Sequence, residues 1–158
     1  MIVTLFENVS NTTPMECVDF NELMRRMTTD ASKRFAADMS SLYRSDKASY
    51  DVKKRSLPAF VIGQFSARNS SSCTAVEHYM GLDIDHVPEG KMREVFEKIA
   101  AWEYCWCVFP SVSENGFRVI APVEYDLSTR VPMYESLVQM FSAYSGISID
   151  SELPPAER

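Results

Sequence analysis

Glu77-His78-Tyr79-Met80-Gly81-Leu82-Asp83-Ile84-Asp85-His86 is the stretch whose reading decides the fold. Residues 77–84 alternate as a half-buried strand does and end in two acids. Pro88-Glu89-Gly90 then opens a helix, with Met92, Val95, Phe96 and Ile99 at i, i+3, i+4 and i+7. Residues 104–109 form a continuous apolar run, which predicts a central strand buried on both sides. Asn115-Gly116 is a hairpin signal, and residues 117–123 supply the partner strand. Val131, Tyr134, Leu137, Val138 and Phe141 mark another helix, with Gly146 suited to its C′ position. Residues 147–150 read as a last short strand. The order is β-α-β-β-α-β, the pattern of an RRM-like or ferredoxin-like antiparallel sheet in an α+β protein.

Upstream the pattern differs. Residues 2–6 form a short apolar strand and residues 8–14 polar turn material. Asp19 or Asn21 caps a helix carrying Phe20, Leu23, Met24 and Met27. A second helix starts at Asp30, with Phe35, Met39, Leu42 and Tyr43 on its apolar face, and residues 45–55 continue as helix toward Pro58. Residues 59–65 leave that proline as a strand. The expected organisation is a single domain over 1–158, with an N-terminal extension over 1–57 and an RRM-like core over 58–150. Residues 151–158 carry no packing pattern, and the chain is expected to be the N-terminal part of a longer protein.

The 158 residues are 46% hydrophobic and 24% charged, which fits a globular domain and not a disordered chain. The net charge of −6 argues against a surface that grips duplex DNA throughout, because phosphate binding needs Lys and Arg. No stretch of about 18 apolar residues predicts a membrane span. The opening residues lack the basic region of a secretory signal. Four cysteines, Cys17, Cys73, Cys105 and Cys107, suit reduced thiols and a cytoplasmic setting.

Three groups of residues suggest chemistry. Asp83 and Asp85 stand two apart at a strand end, where alternation directs both carboxylates the same way. Paired hard oxygen ligands suit Mg²⁺ or Mn²⁺; a solvated strand end is the plainer reading. Asp150, ending the last strand, would add a third acid. The turn from Ser111 and Ser113 to Asn115-Gly116, followed by Arg118, gathers hydroxyls, backbone N–H groups and a cation. Such turns cradle phosphates, although taken alone an ordinary hairpin with a solvent-facing arginine is the favoured reading. Lys53, Lys54 and Arg55 are the densest basic run, placed to meet phosphates or simply to favour a helix C-terminus. No Gly-x-x-x-x-Gly-Lys-Ser/Thr phosphate loop occurs.

These segments occur together in an order that resembles the VirE-type N-terminal domain of bacterial mobile-element and phage proteins. They are Val3-Thr4-Leu5-Phe6-Glu7-Asn8, Lys54-Arg55-Ser56-Leu57-Pro58-Ala59-Phe60, Gly81 to His86, Phe109-Pro110-Ser111 through Ile120, and Ser145 to Asp150. The pattern is also similar to the archaeo-eukaryotic primase superfamily, in which an Asp-x-Asp strand end, a Ser-x-His element and a later Asp form the catalytic centre on an RRM-like sheet. By that resemblance Asp83 and Asp85 match the first motif and Asp150 the third acid. Ser111 or Ser113 stands for the serine of the second, but no histidine follows, and Arg118 sits near where one is expected. The resemblance implies a primase–polymerase-like nucleotidyltransferase in the replication of a mobile element or phage. Its implied cofactors are two Mg²⁺ or Mn²⁺ ions on Asp83, Asp85 and Asp150. Ser111, Ser113, Arg118, Lys54 and Arg55 would meet the nucleotide (NTP or dNTP). The implied partners are single-stranded or primed nucleic acid and a downstream helicase or primase-associated domain, with no membrane. The alternative is a catalytically degenerate module that binds nucleotide or single-stranded nucleic acid. A metal-dependent relaxase is disfavoured, since His78 and His86 are the only histidines.

Overall fold

The computed structural model describes residues 1–147 and 149. They fold into two compact units, one of residues 1–77 and one from His78 onward. The composition is mixed α+β, with antiparallel sheets and five α-helices among the described residues.

The first unit is built around β1 (Ile2–Phe6), flanked by β2 (Pro14–Asp19) and β3 (Ala59–Ile62). Both flanking strands run antiparallel to β1. The strand expected to open the 58–150 core therefore pairs with the N-terminal strand instead. The reason is register: Val3 faces Ile62 and Leu5 faces Phe60, so the two most apolar short runs satisfy each other's backbone. The buried hydroxyl of Thr4 completes this seam, donating to the Gly63 carbonyl at 2.7 Å and accepting from the Phe65 N–H at 3.1 Å. A small hairpin, β4 (Gln64–Phe65) and β5 (Cys73–Ala75), follows.

Three helices connect β2 to β3: α1 (Phe20–Met27), α2 (Asp30–Ser45) and α3 (Lys47–Arg55). Each begins at a side-chain cap, namely Asp19, Thr29 and Asp46, which accepts from an otherwise orphaned backbone N–H. Tyr50, fully buried, sets the α2–α3 contact with its ring 5.0 Å from that of Tyr43.

The second unit begins with β6 (Tyr79–Ile84), crosses through α4 (Met92–Ala100) to β7 (Cys107–Pro110), turns to β8 (Phe117–Pro122) and continues into α5 (Arg130–Ser145). The strand order is β6-β8-β7, all antiparallel, so β8 inserts between the two strands that α4 joins. The apolar run at 104–109 was expected in the centre; β8 holds that place, and β7 is the outer strand, starting only at Cys107. The strand expected over 147–150 lies largely outside the described residues.

Alternation builds the core of this unit. Met80, Leu82 and Ile84 of β6 and Phe117, Val119 and Ala121 of β8 share one face. Ile99 of α4, Trp102, and Tyr134, Leu137, Val138 and Phe141 of α5 pack on that same face. The Trp102 ring sits edge-on to Phe141 at 5.1 Å. At its far end α5 stops at Gly146, whose φ of 69° is the left-handed conformation a C′ glycine supplies.

Two outcomes follow. Leu82, with no exposed surface, is central to the face that both helices cover. Leu82→Ala is expected to cost about 2–5 kcal/mol in urea unfolding. The second concerns acid. The Asp46 carboxylate accepts from the Ser49 hydroxyl at 2.6 Å and its N–H at 3.1 Å. These bonds, the hydroxyl first, hold its pKa below the ordinary value. A depressed folded pKa contributes stability above the unfolded carboxyl pKa of about 3.9, lost as pH falls through the folded value. Asp46→Asn keeps the cap without the charge, so the wild-type advantage over it in thermal unfolding should fade below about pH 4. Asp46→Ala should melt lower at neutral pH as well.

Candidate functional site

Alternation that buries Leu82 and Ile84 directs Asp83 to the opposite face of the sheet. Asp83 lies directly across from Arg118 of β8, and Arg118 in turn lies across from Phe109 of β7. One row on that face thus reads acid, guanidinium, aromatic. The Arg118 Nε donates to the Asp83 carboxylate at 2.8 Å, and its Nη1 lies 3.5 Å from the Asp85 carboxylate. Both acids singled out in the sequence converge on one cationic group. Its guanidinium also reaches the carbonyl of Phe117 at 3.4 Å.

The site is accessible: the side chains of Arg118, Asp83 and Asp85 are 29%, 41% and 54% exposed. Ion pairs this wet are worth about 0–1 kcal/mol each, so they position groups without locking them.

Asp85 is placed by a tight corner between the end of β6 and the β7–β8 turn. The Val87 N–H donates to the Asn115 carbonyl at 2.8 Å, tying the two segments together. Gly116 is needed for that approach. A Cβ there would overlap the Ile84 carbonyl oxygen and stand 3.2 Å from the Asp85 Cα. Two non-glycine residues at this corner, His86 and Glu114, have φ of 59° and 55°. Such left-handed conformations cost roughly 1–2 kcal/mol each for residues with a Cβ, and they cluster where a particular geometry is held.

The turn itself is internally bonded. Ser111 and Ser113 are buried, with their hydroxyls 3.1 Å apart, and the Ser113 hydroxyl donates to the Asn115 side-chain carbonyl. The Ser111 N–H and the Glu114 N–H close the turn onto Gly116 and Ser111 carbonyls, each at 2.9 Å. The two serines therefore shape the turn that flanks Arg118.

The other candidates are in the first unit or outside the described residues. Lys54 and Arg55 end α3 in the first unit, with Lys53 beside them. Lys53 lies over the Phe35 ring at 5.3 Å and Lys54 over Tyr50 at 5.9 Å. Asp150 lies outside the described residues. No cluster of three or more His, Cys, Asp and Glu suited to a metal ion occurs among the described residues. All four cysteines are free thiols, and burial raises the pKa of Cys105 and Cys107, as befits packing residues.

Sequence reasoning overlooked Phe109 as a neighbour of Arg118; the strand parity that assigned Arg118 to the outer face would have found it. It also overlooked the role of Gly116, read only as a turn residue.

A family model described as "BT4734-like, N-terminal domain" matches residues 52–158, and the chain belongs to that family. The match opens within α3 and takes in the whole Asp83–Arg118–Asp85 cluster. No curated protein and no solved structure matches the chain. Among the described residues, no helix is long and apolar enough to cross a membrane.

The corner can be tested by stability and by position. Gly116→Ala should destabilise the second unit by about 1–3 kcal/mol, the usual cost of forcing atoms into filled space. Nuclear magnetic resonance shifts should spread from Ile84 through Val87. A neutral substitution with unshifted Asp85 resonances would remove the assigned role.

Proposed function

We propose that this chain is a primase–polymerase-like nucleotide-handling domain, and that its working site is the Asp83–Arg118–Asp85 cluster. The observation that carries the reading is the convergence of two carboxylates and one guanidinium at the end of a β6-α4-β7 unit split by β8. The resemblance to the archaeo-eukaryotic primase superfamily supports it.

The donor set suits a divalent cation. Mg²⁺ is commonly held by one or two carboxylates together with substrate phosphates, and Asp83 and Asp85 supply two hard oxygen groups facing one point. Asp150 is proposed as a third ligand. When bound, such a cation would supply charge to a phosphoryl group in transfer. The chain's own residues do the rest. Asp83 and Asp85 fix the cation-binding edge. Arg118, partly exposed and paired with carboxylates more exposed than itself, exchanges carboxylate for phosphate oxygens at a cost of about 0–1 kcal/mol per pair. Phe109 offers an aromatic surface beside it. Ser111 and Ser113 keep the flanking turn in shape. Lys54 and Arg55 are proposed to contact phosphates of the nucleic-acid strand, and a helicase or primase-associated partner is proposed downstream.

A second reading has its own observation. Arg118 already neutralises part of the acidic pair, and arginine cannot transfer a proton. A module that binds nucleotide or single-stranded nucleic acid without turning it over fits that equally.

Nucleotide binding and primer extension with Mn²⁺ separate the two. Asp83→Asn should weaken Mn²⁺-dependent nucleotide binding by about tenfold or more, equal to about 1.4 kcal/mol, and should abolish extension. Arg118→Ala should weaken nucleotide binding while retaining Mn²⁺ binding. Binding without extension in the parent chain selects the module. A parent chain that binds neither Mn²⁺ nor nucleotide sinks both readings.

A further inference from the structure

Arg68 is out of place for an arginine. Its guanidinium is half-buried in the first unit, over the ring of fully buried Phe6 at 5.7 Å. Its Nη1 donates to the Val9 carbonyl, and its backbone N–H donates to the Thr12 carbonyl at 2.9 Å. The Nε–H is fully buried with no hydrogen-bond partner. No carboxylate pairs with the guanidinium among the described residues, and burial alone lowers its pKa.

Desolvating a cation without an opposing charge is unfavourable, so side chains of this type are ordinarily paired or left in water. The surroundings make the exception sharper. The chain has 22 acidic residues, yet neither 8–14 nor 63–76, the two segments that meet at Arg68, contains an Asp or Glu. Both are rich in Ser, Thr and Asn, whose hydroxyl and amide groups donate hydrogen bonds. The loops hold the guanidinium in place through a carbonyl and an aromatic face, and neither of those neutralises it.

We infer that Arg68 is the anchor of an anion site between the 8–14 and 63–76 loops, and that its ligand is a phosphate group. A planar guanidinium fixed at one edge leaves its remaining N–H groups to fork onto phosphate oxygens. The phosphate belongs either to a nucleic-acid strand or to a small phosphate compound. The site belongs to the first unit, and the inference does not rest on the function proposed for the Asp83–Arg118–Asp85 cluster of the second.

The test uses the whole chain, with inorganic pyrophosphate and a single-stranded oligothymidylate as probes. Arg68→Met keeps an unbranched apolar side chain and removes the charge, so it should fold without anion as well as the parent does. Pyrophosphate should raise the melting temperature of the parent and leave Arg68→Met unmoved. Arg68→Lys, with charge but no fork, should lose at least about tenfold in pyrophosphate affinity. If oligothymidylate binding also depends on Arg68, the phosphate is that of a nucleic-acid strand. If only the pyrophosphate effect does, it is that of a small compound. The inference fails if pyrophosphate acts equally on parent and Arg68→Met, or acts on neither. It fails also if Arg68→Met melts well below the parent without anion, since the arginine is then a staple between loops.

Discussion

The register of β6 against β8 is the constraint on which the second unit depends. Leu82 opposite Val119 and Asp83 opposite Arg118 are consecutive rungs of one ladder. The first rung is buried beneath α4 and α5; the second carries the site. A slip of one residue would turn Leu82 and Ile84 outward and drive Asp83 into the apolar cluster. Exposing a fully buried Leu or Ile loses about 1.5–3 kcal/mol each, and burying an unpaired carboxylate costs more. The exposed ion pair, worth about 0–1 kcal/mol, cannot set that register. The apolar face sets it, and the charged cluster is positioned as a consequence.

The same logic explains why the site sits at this end of the sheet. Toward the Tyr79 end of β6 the next rung on the face of the site carries Gly81, Ile120 and Cys107, with neither a carboxylate nor a cation among them. Toward Ile84 it runs into the corner where Gly116 passes beneath the Ile84 carbonyl. That close approach brings the chain after β6 and the β7–β8 turn within one hydrogen bond of each other. Asp85, beyond the last rung, can then share Arg118 with Asp83. The left-handed residues His86 and Glu114 mark where the backbone bends to allow it.

Much of this was legible in the sequence because it is periodic. The helical spacing at Met92 to Ile99 and Val131 to Phe141, and the parity of Arg118 against Phe117 and Val119, follow from local order alone. What was not legible is pairing over distance. Nothing local in residues 59–62 tells that they join β1, nearly sixty residues earlier. Strand β2 escaped notice because only Val18 in it is buried, so its identity comes from the ladder with β1 and not from its own pattern. The run at 104–109 reads as a buried centre, yet Tyr104 and Trp106 are exposed and the ladder begins at Cys107. Apolar content alone does not distinguish a central strand from an outer one next to aromatic loops. Arg68 gave no signal at all, since one arginine in a Ser/Asn stretch reads as an ordinary loop residue until its burial is seen.

Arg118 and Arg68 are opposite solutions to placing a guanidinium. Arg118 has two carboxylates and water around it, so leaving them is inexpensive and its partner can change. Arg68 has a carbonyl and a ring, neither of which offsets its charge. A guanidinium supplies charge and hydrogen-bond donors but no acceptor. Where the superfamily that the sequence resembles has a histidine, this chain has Arg118, which supplies charge. Any group transfer proposed at the Asp83–Arg118–Asp85 cluster would then take its proton to a carboxylate or to water, and the part proposed for the arginine is to bind and orient phosphate oxygens.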